Sequence, residues 1–155
     1  MKIEIKRAGL KDAQVIWTMQ RAAFQPLFEK YHDTETSPAM EDYEKTVSRL
    51  QHDRSFFYLI LADGQAVGAL RVVDTKNPMS RKRLSPVFIL PEYQNLGIGK
   101  EAIRLAEEIH GTSGWQLDTI LQEKGNCHLY EKMGYKKTGE SRVINDRMTL
   151  IIYEK

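Results

Sequence analysis

Apolar and polar positions alternate at the start of the chain. Ile3 and Ile5 sit between Lys2, Glu4 and Lys6, the period of a half-buried strand. From Ala13 the period changes. Ala13, Ile16, Trp17, Gln20, Ala23 and Phe24 recur three and four apart behind Asp12, which predicts an amphipathic helix. The polar run Tyr31–Pro38 predicts a loop. A second helix is expected just after Pro38, with Tyr43, Val47 and Leu50 turned inward. Two apolar runs, Phe56–Ala62 and Ala66–Val73, flank Asp63-Gly64. This is a hairpin signal, because the tight turn needs positive φ and Gly supplies it. A strand over Leu84–Leu90 ends at Pro91. A helix from about Gly99 to His110 carries Ala102, Ile103, Leu105, Ala106 and Ile109 on its apolar face. Trp115–Leu121 predicts another strand, and Asn126–Met133 a short helix stopped by Gly134. Two final strands, Tyr135–Val143 and Arg147–Tyr153, flank Asn145-Asp146.

The predicted order is β-α-α-β-β-β-α-β-α-β-β. It implies an α/β (α+β) fold: a mixed, mostly antiparallel central sheet of six to seven strands, flanked by about four helices, with one βαβ crossover at the glycines. No repeat or linker interrupts the pattern, and 155 residues suit one domain over the whole chain. A hydrophobic fraction of 41% and a charged fraction of 28% exclude wholesale disorder. The formal charge of +2 gives no reason to expect a nucleic-acid partner. The one basic cluster, Ser80-Arg81-Lys82-Arg83, reads as a solvated loop. No apolar run approaches the ~20 residues of a membrane helix, and Met1–Lys6 has a strand pattern rather than that of a signal-peptide core. Cys127 is the single cysteine, and no Cys/His spacing suggests a metal. A cytoplasmic protein without membrane partners is the expectation.

The chemistry concentrates in Val87–Lys100, where an apolar strand runs through a short loop into a helix opened by glycines. The first amides of a helix lack internal partners and lie at the positive end of its dipole, and glycines let the backbone approach a phosphate. Gln94, Asn95 and Lys100 add side-chain donors. Taken alone, the glycines leave three readings open. The first is an anion site. The second is a capped helix without a ligand. The third is a dinucleotide site, since Gly97-Ile98-Gly99-Lys100-Glu101-Ala102 meets the loose Gly-x-Gly-x-x-Ala fingerprint. Against the third, the glycines follow a hairpin late in the chain, and Asp118, the candidate ribose ligand, falls mid-strand.

The wider segment Ile89-Leu90-Pro91-Glu92-Tyr93-Gln94-Asn95-Leu96-Gly97-Ile98-Gly99 resembles the coenzyme A signature of the GNAT superfamily of N-acetyltransferases. A second segment, Leu129-Tyr130-Glu131-Lys132-Met133-Gly134-Tyr135, resembles that family's downstream signature, and the element order fits along nearly the whole chain. The resemblance implies an acyl-CoA N-acyltransferase-like sheet splayed between the fourth and fifth strands, with acetyl-CoA as co-substrate. It implies that the pyrophosphate lies on Asn95, Leu96, Gly97, Ile98, Gly99 and Lys100, with Gln94 beside them. The pantetheine arm would pair with Val87, Phe88 and Ile89, as in β-augmentation. Tyr130 matches the tyrosine that protonates the departing thiolate. Asn126 lies four residues before Tyr130, closer than in many relatives, and is a candidate coenzyme contact.

Acetyl transfer needs a neutral amine, a group or water to take its proton, and a donor for the oxyanion. Glu92, Asp118 and Glu35 are the carboxylates near the expected cleft, and the sequence does not choose among them. Cys127 and His128 are adjacent on a helix and point in different directions, so they do not form a nucleophile–base pair. Tyr31, Asp33 and Glu35 are the expected acceptor residues, suited to a cationic amine. The acceptor is a small-molecule or peptide amine, and a homodimer through the terminal strands is possible. The other classes open are a silent coenzyme A-binding sensor or interaction module and a nucleotide-binding domain.

Overall fold

The computed structural model describes all 155 residues. Its elements run β1 (Ile3–Arg7), α1 (Ala13–Tyr31), α2 (Tyr43–Gln51), β2 (Ser55–Ala62), β3 (Gln65–Val73), β4 (Lys82–Ile89), α3 (Ile98–His110), β5 (Trp115–Ile120), α4 (Lys124–Lys132), β6 (Lys136–Val143) and β7 (Thr149–Glu154). The order of strands and helices is the one the hydrophobic pattern predicts. One sheet of seven strands results, ordered β1-β2-β3-β4-β5-β7-β6, and β4–β5 is its parallel pair. No helix is long and apolar enough to cross a membrane.

Local chemistry sets the corners. Asp63 and Gly64 turn the β2–β3 hairpin with φ of 49° and 83°, the left-handed pair that a type I′ turn requires. Asp42 caps α2 by accepting from the Lys45 amide at 3.1 Å. The helix therefore begins later than expected after Pro38: Pro38–Met40 forms a short 3-10 turn, and Thr46 is the buried residue of α2, with Tyr43, Val47 and Leu50 half-buried. Ile109 also departs from expectation, being 56% exposed. Its place on the inner face goes to Glu107, which accepts from Tyr135 Oη at 3.2 Å and Lys155 Nζ at 2.7 Å. A buried carboxylate is tolerable when its oxygens are filled in this way. The basic cluster is only partly a loop, since Lys82 and Arg83 start β4.

The sheet separates two cores. On one face Leu70, Val72, Ile98, Ile103, Trp115 and Tyr153 pack beneath α3 and α4. On the other, Phe57, Ala69 and Phe88 pack against Ile16, Met19 and Ala23 of α1. Phe57 and Tyr58, like Ala69 and Leu70, go to opposite faces, as the two-residue period of a strand demands.

The C-terminal end of α3 is tied to the sheet by polar contacts. His110 Nδ1 lies 3.2 Å from Asp74 Oδ2, and its Nε2 lies 2.9 Å from Tyr58 Oη. The carboxylate accepts from Nδ1–H, which leaves Nε2 to accept from the tyrosine hydroxyl. The rings of Phe56, Tyr58 and Trp115 meet the imidazole edge-on. Burial holds the His110 pKa below its ordinary value despite Asp74.

Candidate active site

The parallel pair is the weak seam of the sheet. β4 and β5 are in register only at Lys82↔Trp115 and Arg83↔Gln116. Further along, β4 stays paired with β3 through Leu70↔Val87, Ala69↔Phe88 and Gly68↔Ile89, while its other edge faces a gap. The β3–β4 register shifts between Leu70 and Val72, so that Ser85 and Pro86 together oppose Arg71. This is a bulge, and it falls where the β4–β5 pairing has ended. Arg71 Nε occupies the Ser85 carbonyl at 2.5 Å.

A cleft of about 240 Å³ fills the gap. Ser85, Pro86 and Val87 form one wall, and Leu117, Asp118, Thr119 and Ile120 the opposite one. Phe24, Leu27 and Phe28 of α1 and Asn126 and Tyr130 of α4 complete the lining. Val87 faces the cleft, but the Phe88 side chain belongs to the α1 core, stacked edge-on against Phe24 at 5.8 Å. Phe88 can therefore offer a ligand only its backbone.

Past Ile89 the chain leaves a run of backbone donors without partners. A 3-10 turn over Pro91–Tyr93 leads to Asn95 at φ 63° and Gly97 at φ 81°, both left-handed. α3 then starts at Ile98, whose side chain is anchored in the core. None of the backbone N–H groups from Asn95 to Lys100 meets an acceptor within the chain, and Gly97 provides no side-chain cap. Such a run of unpaired donors at a helix N-terminus is an anion site. Glu101, in the first turn, is gripped by Arg104 at 2.6 and 3.0 Å, so its charge does not oppose an anion there. Gln94 is differently placed: its Nε2 donates to the Ile89 carbonyl at 2.9 Å, bracing the loop against the end of β4.

Asn126 and Tyr130 lie one turn apart on α4 and face the same cleft, as i,i+4 residues do. Tyr135 and Tyr153 flank the Tyr130 ring at centroid distances of 6.0 and 6.1 Å. Burial, with Asp118 and Cys127 nearby, pushes the Tyr130 pKa up to about 12. The phenol therefore keeps its proton at neutral pH and is fit to donate it. Cys127 is buried against the Ile120 and Leu121 carbonyls, whereas His128 is exposed, so the two point apart.

The expected acceptor residues are placed less simply. Tyr31 is buried outside the cleft, and its hydroxyl donates to Glu123, which also receives Lys30 Nζ at 2.7 Å. Glu35 is exposed and paired with Arg142. Asp33 does border the cleft, but its oxygens accept from the Glu35 and Thr36 amides at 2.9 and 2.8 Å and from Thr36 Oγ1. These residues strap the loop after α1 to α4 and β6. Of the carboxylates bordering the cleft, Asp33 and Glu41 are saturated by internal partners, and Asp118 has none. Glu92 is exposed and does not border it. The sequence reading missed Glu41, Arg49 and Arg71. Only Arg71 carries a signal in the sequence, an arginine inside the apolar pattern of β3.

A sheet splayed between its parallel strands, with free amides past the end of β4 and a protonated tyrosine on the cleft wall, is the frame of an acyl-coenzyme A transferase. The profile of the acetyltransferase (GNAT) family matches residues 16–135, and the chain belongs to this family of acetyl-CoA-dependent N-acetyltransferases. Rat N-acetyltransferase family 8 member 3 is 30% identical over 138 residues, 81% of this chain and 60% of the relative. Human N-acetyltransferase 8 is 28% identical over 118 residues, 72% of this chain and 51% of the relative. The chain thus spans less than two thirds of the length of these curated relatives. Among solved structures, the PaiA N-acetyltransferase of Thermoplasma acidophilum in complex with coenzyme A shares the fold with a TM-score of 0.73 at 19% identity, over 100% of both chains. The spermidine N-acetyltransferase of Vibrio cholerae in complex with CoA and spermine does so with a TM-score of 0.75 at 16% identity, over 97% of this chain and 93% of that one.

Proposed function

We propose that residues 1–155 act as one N-acetyltransferase domain, moving acetyl from acetyl-CoA to a primary amine by direct attack in a ternary complex. The observation that carries this reading is the run of unpaired amides from Asn95 to Lys100, which follows β4, the strand whose Val87 lines a cleft that has Tyr130 on its wall. In this reading the amides receive the pyrophosphate. The open edge of Val87–Ile89 pairs with the pantetheine amides and aims an N–H at the thioester oxygen.

Asp118, the unpartnered carboxylate of the cleft, takes the proton of the incoming ammonium, directly or through water. The neutral nitrogen then attacks the thioester carbon, and the electron pair moves onto the oxygen. As that pair returns, the C–S bond breaks, Tyr130 passes its proton to the leaving sulfur, and the nitrogen gives up its second proton through water to the Tyr130 phenolate, leaving a neutral amide. Asn126, one turn away, faces the same stretch of cleft. The products are the acetamide and coenzyme A.

A thermal-shift titration with acetyl-CoA, coenzyme A, NAD and ATP tests the assignment. A rise in Tm with the two coenzyme A forms and not with the nucleotides is expected. No shift with either form at concentrations well above micromolar refutes it.

A further inference from the structure

Of the charged side chains lining the cleft, Asp33 and Glu41 are satisfied by partners within the chain, and Arg49 is the cation. Arg49 borders the cleft with its side chain only 16% exposed. It holds Glu41 through Nη1 at 2.8 Å and Nη2 at 3.2 Å. Glu41 also receives Gln20 Nε2 at 2.8 Å and Lys45 Nζ at 3.1 Å, so its negative charge is already more than matched. Behind the wall, Arg71 donates to the Ser85 carbonyl at 2.5 Å and to Ser55 Oγ at 3.5 Å, and it has no carboxylate partner. Arg49 and Arg83 act on it with like charge and Glu41 with opposite charge. Burial and the neighbouring arginines pull the Arg71 pKa down to about 10.

Taking a guanidinium from water without an anion is costly, and folding alone gives no return for it here. A bidentate guanidinium–carboxylate contact is the arrangement that uses such a surplus best. Arg49 spends two of its five N–H donors on Glu41, and the rest remain for a ligand. The apolar side chains Phe24, Leu27 and Phe28 line the same cleft, as does Asp118.

We propose that the acceptor of this domain is an amine that also carries a carboxylate and an apolar substituent, as an apolar α-amino acid does. Its carboxylate sits at Arg49 with Arg71 behind, its apolar group lies on Phe24, Leu27 and Phe28, and its amine points toward Asp118. The proposal rests on the acetyltransferase reading and narrows it. It also moves the acceptor's amine away from Asp33 and Glu35, the residues expected to hold a cationic amine, whose charges are spent within the protein.

The test compares phenylalanine, phenylalaninamide and 2-phenylethylamine as acceptors, with thiol release as readout. Phenylalanine is expected to have the highest kcat/KM, by about tenfold or more over both, the size of one charge-assisted contact. Arg49→Gln should reduce that preference. Arg71→Lys keeps the charge but loses the planar fork, and should reduce it less. Coenzyme A binding by thermal shift should be unchanged in both variants. As a check independent of turnover, N-acetylphenylalanine should raise Tm in the presence of coenzyme A more than N-acetyl-2-phenylethylamine does. Equal rates for the three amines, a preference for 2-phenylethylamine, or equal shifts with the two acetylated products overturns the proposal while leaving the acetyltransferase reading intact. No shift with coenzyme A refutes that reading, and this proposal with it.

Discussion

Gly68 on β3 stands directly against Phe88 on β4: a Cβ at position 68 would lie 2.1 Å from the Phe88 carbonyl oxygen and 3.1 Å from Ile89 Cα. Both obstacles are backbone, so no rotamer can relieve the clash. The strand that receives the coenzyme arm in our reading is therefore held at its distance by the absence of one methyl group. Gly68→Ala should lower the unfolding free energy by about 2 kcal/mol or more, since overpacking against backbone has no cheap relaxation. Urea denaturation checks this.

Gly99 gives the contrasting case. A Cβ there would meet only Ile89 Cγ1, at an ordinary 3.8 Å, and the residue lies in the first turn of α3. Gly99→Ala should leave stability unchanged or raise it by up to about 1 kcal/mol. Coenzyme A affinity should nevertheless fall, because the methyl group intrudes on the face where the free amides point. Isothermal titration alongside denaturation separates the effects, and unchanged affinity would remove Gly99 from the proposed pyrophosphate site.

Tyr130→Phe should lower kcat by about 10²-fold, the usual scale for losing a general acid, with coenzyme A affinity nearly intact. A parallel loss of both would point to packing, since Tyr135 and Tyr153 lean on the same ring. The pKa of about 12 adds a further signature. The alkaline limb of the wild-type pH–rate profile should show no loss from this phenol below about pH 11.

His110 gives a pH dependence of stability. Its folded-state pKa lies below the unfolded value of 6.5, with desolvation outweighing the pull of Asp74, while Lys76 and Lys82 also oppose the imidazolium and Tyr58 presents its hydroxyl to Nε2. The unfolded chain then binds the proton more readily. Stability is complete above pH 6.5 and falls as pH drops below it toward the folded-state pKa. Asp74 adds a second loss at lower pH: its folded-state pKa lies below 3.8, so its contribution disappears as pH falls through that depressed value. Urea midpoints between pH 8 and pH 5 should decline in the wild type and decline less in His110→Gln.

Asp33 and Glu35 should behave unlike each other. Asp33→Ala breaks three hydrogen bonds of a buried turn and should cost about 1–3 kcal/mol. Glu35→Ala opens an exposed pair with Arg142 and should change stability by no more than about 1 kcal/mol. If both leave the acceptor KM unchanged, the acceptor role expected for them is lost, and the loop is a strap between α1, α4 and β6.

Much of the fold was legible from short-range pattern. The two-residue period marked the strands, the 3.6-residue period marked α1 and α3, and Asp63-Gly64 specified its turn. These signals are local, because side-chain direction repeats with the backbone within a few residues. The free amides from Asn95 to Lys100 were legible for the same reason, since they are consecutive and left unpaired by helix geometry at one point in the chain. Asn126 and Tyr130 followed from their place on one short helix.

What the sequence could not determine was how side chains far apart in the chain spend their charges. Asp33 and Glu35 looked like open carboxylates, yet one folds back on its own turn and the other meets Arg142 on β6. Glu107 sits at a position the periodicity would have filled with Ile109, because Tyr135 and Lys155 come to it from the far end of the chain. The surplus at Arg49 and Arg71 exists only once α2, β3 and the β4 bulge converge. Hydrophobic periodicity is a property of neighbours along the chain and survives without tertiary contacts. Whether a charged group is free or satisfied depends on distances that folding alone sets.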